Sequence, residues 1–217
     1  MCGRYTSLTA DEITEVRSII KDISLKLARD ESDSHQTTPQ EVAPTNRVPI
    51  ITSSEGTLSF EHAKFGFKRW DGKGVIINAR AETINQKSMF KGHVHARRCV
   101  IPASGYYEWK AEVAQRKKTK HLIKGKQGNL MFMAGLYRDG ADGCEFVIIT
   151  KDPVGDIADI HDRMPVILKV EQIGLWLSGA MPVEGLVSLD YECIAKPCET
   201  PEVHNNGYKQ LTLFEMS

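Results

Sequence analysis

Residues 130–150 read LMFMAGLYRDGADGCEFVIIT, two short apolar segments separated by a polar turn that is rich in Gly and Asp. Apolar segments this short, with turn-forming residues at both ends, favour β-strands over helices. The sequence therefore predicts a chain dominated by short strands. The same pattern recurs in VPIIT at 48–52, TLSFEHAKFGF at 57–67, VIINA at 75–79, CVIPA at 99–103, YYEW at 106–109, HLIKG at 121–125 and PVILK at 165–169.

Helical patterns are less frequent than strand patterns. In TADEITEVRSIIKDISLKLARD, residues 9–30, Thr9 and Glu12 have the spacing of a capping box, and apolar residues follow at helical intervals. This segment is the strongest helix prediction in the chain. Further predictions are a second helix at EQIGLWLSG (171–179), late edge strands at YECIAKP (191–197) and TLFEM (212–216), and a surface loop at ESDSHQTTPQ (31–40).

These elements together predict an α+β fold in one domain spanning residues 1–217. The expected architecture is a mostly antiparallel, curled or barrel-like β-sheet with a few flanking helices. A chain of this length buries a sizeable core without a second domain. The sequence contains no visible internal repeat and no Gly-rich phosphate-binding loop.

The charge balance argues against a protein that coats nucleic acid without regard to sequence. Lys and Arg number 28, Asp and Glu also number 28, and the formal net charge is zero. No global field therefore attracts phosphates, although a local basic groove stays open as an interpretation. The basic run RKKTK at 116–120 lies between two strand patterns and predicts a solvated hairpin loop.

The cysteines and the apolar runs indicate the compartment. Five cysteines form neither C-x-x-C pairs nor an obvious disulfide framework, which favours a reducing compartment and gives no sign of a metal site. The longest apolar runs are far shorter than a membrane span, so no membrane association is expected. We expect a cytoplasmic protein, associated with the nucleoid if its source is bacterial.

The chain begins MCGRYTS, with Cys2 directly after the initiator methionine. Removal of Met1 would leave an α-amine, of ordinary pKa ~7.7–8.0, and a thiol, of ordinary pKa ~8.5, on one residue. Three interpretations compete: an inert residue, an N-terminal nucleophile of the amidohydrolase type, and capture of an aldehyde as an imine that closes to a thiazolidine.

Three segments place polar side chains in apolar surroundings. Asn78 and Arg80 share one face of a strand in IINARAET, because side chains alternate with period two. Glu108 lies between two aromatic residues, a setting that raises the pKa of a carboxyl toward values useful for acid–base catalysis. His161, in IHDRMPVIL, precedes a strand and suits proton transfer near neutral pH. A capping amide, an exposed glutamate and a histidine bound to nearby backbone remain the structural alternatives.

Seven ordered motifs resemble the SOS-response-associated peptidase (SRAP) family, the abasic-site-processing proteins. The resemblance runs from residue 2 to residue 168 and is weaker beyond it. The motifs are CGRY at 2–5, VAPT at 42–45, INARAET at 77–83, GYYEWK at 105–110, FMAGLY at 132–137, FVIIT at 146–150 and IHDRMPVIL at 160–168.

The resemblance implies a covalent sensor of abasic sites in single-stranded DNA, an enzyme that forms a DNA–protein crosslink and protects the lesion. An additional lyase or autoproteolytic peptidase activity stays open. No cofactor and no metal are expected, and we expect a monomer. The implied catalytic residues are Cys2 as the crosslinking nucleophile, Asn78 as the holder of the N-terminal residue and the sugar, Glu108 as the general acid–base, and His161 in ring opening. The implied DNA contacts are Arg80 and Arg163 with phosphates and Trp109 with a base, and Arg4 lines the same DNA-binding site.

The chain departs from the family pattern in three places. Glu41 precedes VAPT where the family usually has asparagine, KFGFKRW at 64–70 replaces a Trp-Gly-containing stretch, and KDPV at 151–154 replaces a Thr-Ala-Asn run. None of these changes removes an implied catalytic group. Two other functions remain as alternatives: an N-terminal cysteine amidohydrolase or peptidase, and a non-covalent single-stranded-DNA-binding module.

Overall fold

The computed structural model describes residues 2–23, 40–112, 117–126, 128 and 130–198. Its helices are α1 (Ala10–Ile23), α2 (Ser88–Ala96) and α3 (Val170–Leu177). Its strands are β1 (Arg4–Thr6), β2 (Glu41–Val42), β3 (Arg47–Ser54), β4 (Thr57–Phe65), β5 (Phe67–Lys68), β6 (Val75–Ile76), β7 (Asn78–Arg80), β8 (Arg98–Ala103), β9 (Gly105–Glu112), β10 (Lys117–Gly125), β11 (Met131–Gly140), β12 (Gly143–Lys151), β13 (Met164–Pro165), β14 (Ile167–Leu168) and β15 (Cys193–Pro197).

Five strands close into a barrel in the order β12, β4, β3, β8 and β11. The hairpin of β11 and β12 closes it, since β12 pairs with β11 on one side and with β4 on the other. Neighbouring strands are antiparallel except for β4 and β12, which are parallel. Closure pairs the edges that an open sheet would expose. The predicted α+β, barrel-like and mostly antiparallel fold is confirmed.

A second, five-stranded sheet packs beside the barrel in the order β15, β10, β9, β1 and β2, with every pair antiparallel. Its two faces differ in exposure: in β9, Tyr106 and Glu108 are buried, whereas Tyr107 and Trp109 are partly exposed. The inner face joins one apolar cluster with barrel residues such as Phe65 and Phe146. Polar side chains on this inner face, such as Glu108, are therefore buried between the sheet and the barrel.

The helices largely follow the predictions. The capping box of α1 is present, with the Thr9 amide donating to Glu12 Oε2 at 2.8 Å and the Glu12 amide donating to Thr9 Oγ1 at 3.2 Å. The predicted second helix corresponds to α3, whereas α2 was not predicted, because its short pattern SMFKGHVHA buries only Phe90 and Val94. No helix among the described residues is both long and apolar enough to cross a membrane.

The basic run at 116–120 requires a correction. Its residues 117–120 form the first half of β10 and pair with β9, so they are strand and not hairpin loop. The first residues of β10, KKTK, have no apolar alternation, so the sequence offered no period-two signal for a strand there. The predicted edge strand at 191–197 is confirmed as β15, whereas residues 24–30 of the first predicted helix, 31–39 of the predicted loop and the predicted strand at 212–216 lie outside the described residues.

Trp176 packs α3 against the barrel, and replacing it should lower the stability of the protein. Its ring is fully buried, its Nε1 donates to the Cys99 carbonyl at 2.9 Å, and the Arg98 guanidinium lies 4.3 Å from its ring centroid. Replacing Trp176 with Ala should lower the free energy of unfolding by about 3–5 kcal/mol, as for other large buried side chains. Leu175→Ala, at a neighbouring side chain that is 50% exposed, should lower it by less than about 1 kcal/mol. Equal losses in urea titrations would contradict this role.

Candidate active site

Cys2 lies just before β1, which places it between the five-stranded sheet and the barrel. Its side chain is only 2% exposed and belongs to the apolar cluster that joins the two sheets. Asn78, at the start of β7, donates from Nδ2 to the Cys2 carbonyl at 3.2 Å and to the Ile148 carbonyl at 3.5 Å. β7, which pairs with β12 of the barrel, thus anchors residue 2 through its backbone and leaves the thiol available to other groups.

Glu108 contacts the Cys2 thiol from the inner face of β9. Its side chain is 1% exposed, and a hydrogen bond joins it to the thiol. Burial raises the pKa of the Glu108 carboxyl, and the Cys2 hydrogen bond opposes part of that rise. Burial also raises the pKa of the Cys2 thiol well above its ordinary value, and the charge of Glu108 raises it further. The pair therefore favours a neutral Cys2 thiol that donates a hydrogen bond to the Glu108 carboxylate.

His161 faces Glu108 from the loop before β13. Its Nε2 lies 3.6 Å from Glu108 Oε2, and its Nδ1 lies 2.9 Å from the Asp162 carboxylate and accepts from the Arg163 amide at 3.0 Å. A neutral ring that accepts from this amide carries its proton on Nε2, the nitrogen on the Glu108 side, whereas a protonated ring carries a proton on each nitrogen. Either form provides a proton donor beside Glu108.

Asn78 also presents an acceptor to the site. Its Oδ1 is buried and accepts no hydrogen bond from any group in the described part of the chain. A buried amide oxygen without a donor is uncommon, since leaving it unpaired costs about 1–3 kcal/mol. An α-amine or a sugar hydroxyl would supply the missing donor.

Arg163 is largely buried and is paired with two carboxylates that are nearer the surface. Its side chain is 8% exposed and makes two parallel hydrogen bonds to Glu82, at 2.9 and 2.8 Å, with a further contact to Asp152 and one to the Thr150 carbonyl at 2.8 Å. Two parallel bonds of this kind are the strong form of an arginine–carboxylate pair. Contact between Arg163 and a phosphate would require the phosphate to displace a carboxylate.

Arg4 is also paired, on the outer face of the five-stranded sheet. Its Nη1 donates to Glu41 Oε1 at 2.7 Å, and Lys120 bonds the other oxygen of the same carboxylate. The two cations lower the pKa of Glu41 against the opposing effect of its partial burial. The Lys120 ammonium lies 4.0 Å from the Tyr107 ring centroid and 5.7 Å from that of Trp109. Glu41 therefore links two cations beside an aromatic pair.

The remaining two implied contacts are accessible. Arg80 ends β7, is exposed and precedes the short 3-10 helix Ala81–Thr83, while Trp109 is partly exposed on the outer face of β9. The structure thus brings Cys2, Asn78 and Glu108 together with His161. Of the four implied DNA contacts, it places Arg4 and Trp109 on the outer face of the five-stranded sheet, whereas Arg80 lies at the end of β7 and Arg163 in the loop before β13. Among the described residues, no group of three or more His, Cys, Asp or Glu side chains is arranged so that it could hold a metal ion.

Sequence reasoning missed the carboxylates that hold the two paired arginines. Glu41 and Asp152 lie within segments that depart from the family pattern, which was the available signal, and Glu82 lies inside INARAET. Their partners are 37 residues away for Glu41, 11 for Asp152 and 81 for Glu82. Only the fold brings these groups within hydrogen-bonding distance.

Comparisons with known proteins agree on one family. The family model described as "SOS response associated peptidase (SRAP)" matches residues 1–204. The abasic site processing protein YoqW of Bacillus subtilis is 34% identical over 188 residues, covering 82% of this chain and 80% of YoqW. The abasic site processing protein YedK of Escherichia coli is 29% identical over 183 residues, covering 82% and 79%. The crystal structure of a Bacteroides thetaiotaomicron protein superposes with a TM-score of 0.72 at 25% identity, covering 91% and 92%. The motifs in the sequence, the barrel and these matches agree, and the chain belongs to the SOS response associated peptidase (SRAP) family.

Proposed function

We propose that this protein processes abasic sites in single-stranded DNA by capturing the lesion covalently on Cys2. The observation that carries the proposal is the buried Cys2 thiol, hydrogen-bonded to Glu108, which in turn faces His161 at 3.6 Å. Relatives named abasic site processing proteins support the substrate class. The capture would shield the lesion from strand scission during the response to DNA damage.

The first step would open the sugar. An abasic deoxyribose is mostly a closed hemiacetal, so its C1′ hydroxyl must lose a proton while the ring oxygen gains one. Glu108 and His161 are adjacent titratable groups and suit this pair of transfers. Asn78 Oδ1 would accept a hydrogen bond from the α-amine or a sugar hydroxyl, which holds the new aldehyde near residue 2.

The next steps would join the sugar to Cys2. With Met1 removed, the α-amine adds to the C1′ aldehyde and one water leaves, giving an imine. The thiol then adds to the same carbon: a C–S bond forms, the imine nitrogen gains a proton, and the S–H proton passes to Glu108 and from there to that nitrogen. The product is a five-membered thiazolidine, with no oxidant or reductant required.

The environment of the thiol favours this route over amide hydrolysis. An amidohydrolase attacks with the thiolate, and reactive cysteines accordingly have lowered pKa values. Burial and Glu108 instead raise the pKa of the Cys2 thiol. Attack by the amine first, with the thiol closing the ring afterwards, does not require a thiolate at the start.

The proposed DNA contacts divide into two kinds. Arg80 and Trp109 are accessible, and we propose that they meet a phosphate and stack on a base directly. Arg4 and Arg163 are paired with carboxylates, and they would contact phosphates by exchanging one anion for another. Binding before the covalent step would then be modest and sensitive to salt.

Intact-mass spectrometry of the protein, mixed with a single-stranded oligonucleotide bearing one abasic site, tests the proposal. Protein that lacks Met1 should gain the mass of the oligonucleotide minus one water under denaturing conditions. An oligonucleotide without the lesion is the first control. A variant that retains one residue before Cys2 is the second, and it should form no adduct because it lacks the α-amine on residue 2. Consumption of glutamine or a peptide without any adduct would favour the amidohydrolase instead.

A further inference from the structure

The outer face of the five-stranded sheet carries a row of lysines that the active site does not use. Register places Lys120 opposite Trp109 and Leu122 opposite Tyr107, so these residues share the outer face. Side chains of β10 alternate in exposure as this register requires, with His121 and Ile123 buried. By the same alternation the outer residues of β10 and β15 are Lys118, Lys120, Leu122, Lys124, Ile194 and Lys196.

Charge on this face is unbalanced, although the whole chain is neutral. Four lysines of β10 and β15 share it with Arg4, and the acidic residue that β1, β2, β9, β10 and β15 contribute there, within the described residues, is Glu41. Glu41 already bonds Arg4 and Lys120. An excess of positive charge is therefore concentrated on one surface, where it would attract a polyanion.

A groove follows the lysines across β10 and β15. It has a volume of about 440 Å³, an apolar floor that includes Leu122 and Ile194, and lysine walls that include Lys124 and Lys196. Leu122, which lines the groove, lies two residues along β10 from Lys120, which opposes Trp109, so the groove begins about 7 Å further along the strand. The groove and Trp109 therefore lie on the same outer face of the sheet.

Acidic residues border this surface on one side. Asp11, Glu12 and Glu15 of α1 line the adjoining groove, into which Lys124 also extends, and Glu192 pairs with Lys126 at 3.3 Å. A phosphate backbone would be repelled from that side and attracted along β10 and β15. The acidic border therefore favours a DNA path along β10 and β15.

We propose that this outer face binds the sugar–phosphate backbone of the single strand that flanks the lesion. Lys124 and Lys196 contact phosphates, while Leu122 and Ile194 provide an apolar floor for sugars or bases. Because the contacts are with phosphates, the binding is independent of base sequence. The inference rests on the proposed function, since it assigns a path to the strand whose abasic site is captured at Cys2.

Fluorescence anisotropy with lesion-free oligonucleotides, measured over a range of salt concentrations, tests the path. A strand of about 5 nucleotides covers little beyond the active site, whereas one of about 20 exceeds the ~4–16-nucleotide footprint of typical single-strand-binding folds. For the longer strand, we expect a smaller salt dependence in the double variant Lys124→Gln with Lys196→Gln. The slope of log affinity against log salt concentration should decrease in magnitude by about 1.4, since each single-strand phosphate contact contributes about 0.7 to it. The shorter strand should bind both proteins alike.

Two further variants separate charge from structure. Lys124→Arg with Lys196→Arg keeps both charges and should retain the wild-type slope. Lys21→Gln with Lys91→Gln removes two exposed charges from α1 and α2, outside the five-stranded sheet, and should also retain it. If wild-type protein crosslinks an abasic oligonucleotide and the Lys124 and Lys196 glutamine variant keeps the wild-type slope, the path is wrong and the proposed function stands. If wild-type protein neither binds nor crosslinks, both fail.

Discussion

Replacing Cys2 with Ala should eliminate the stable adduct with abasic single-stranded DNA. The variant keeps the α-amine and still forms an imine, but without the thiol no ring closes, and the imine hydrolyses when the protein is denatured. Intact-mass spectrometry should therefore detect no crosslink, whereas treatment with borohydride before denaturation should trap the imine of the variant as a secondary amine. The thiol step and the amine step are separated by this single comparison.

Replacing a second cysteine with alanine provides the control. Cys144 is a free, partly buried cysteine at the start of β12, four residues before Ile148, whose carbonyl accepts from Asn78, and Cys144→Ala should crosslink as the wild type does. Binding of lesion-free DNA should be unchanged in both variants, because neither thiol faces the proposed phosphate contacts. A stable adduct of Cys2→Ala without borohydride would rule out the thiazolidine.

Replacing Glu108 with Gln should slow crosslinking by about 10²–10⁴-fold, the range typical of a lost general acid–base. Glutamine has nearly the same shape and still accepts a hydrogen bond from the Cys2 thiol, but it cannot take the proton. The rate of adduct formation, followed by quenching at intervals, measures this loss. Affinity for lesion-free DNA should stay at the wild-type value, since Glu108 is buried on the inner face.

The pH profile gives a second signature of Glu108. The carboxylate form accepts the thiol proton, and burial raises the pKa of this carboxyl. The crosslinking rate should therefore rise with pH through a midpoint above the ~4.3 of an ordinary glutamate. The Gln variant should lose this limb, while Glu61→Gln, at an exposed position on β4, should keep it. An equal loss of crosslinking and of DNA affinity in Glu108→Gln would indicate a structural role instead.

Two departures from the family pattern place carboxylates on implied DNA-binding arginines. Glu41 bonds Arg4, and Asp152 contacts Arg163 together with Glu82. Each pair holds its cation in a fixed position, and under the proposed function the arginine would exchange its carboxylate for a phosphate when DNA binds. This arrangement would lower the net attraction for undamaged strands and leave the covalent step to retain the lesion.

Local patterns predicted much of the fold, and the residues show why they stopped where they did. The apolar segments of β11 and β12, the capping box at Thr9 and Glu12 and the helix at 170–177 are short-range signals, and all are present. The strand at 117–120 was missed because Lys118 and Lys120 lie on the outer face of a sheet whose other face is buried. A run of charged residues in the sequence does not show that the opposite face of the same strand is buried.

The sequence by itself determined the family, the strand-rich fold and the identity of the groups implied in the chemistry, because motifs and period-two alternation are local properties of the chain. Only the tertiary structure decided which groups meet. Cys2 and Asn78 are 76 residues apart and join because the five-stranded sheet packs against the barrel. Arg163 and Arg4 acquire their carboxylate partners in the same way. Strand register and sheet packing set these distances. Both are determined by the packing of the whole core, to which many segments contribute, and not by any one segment.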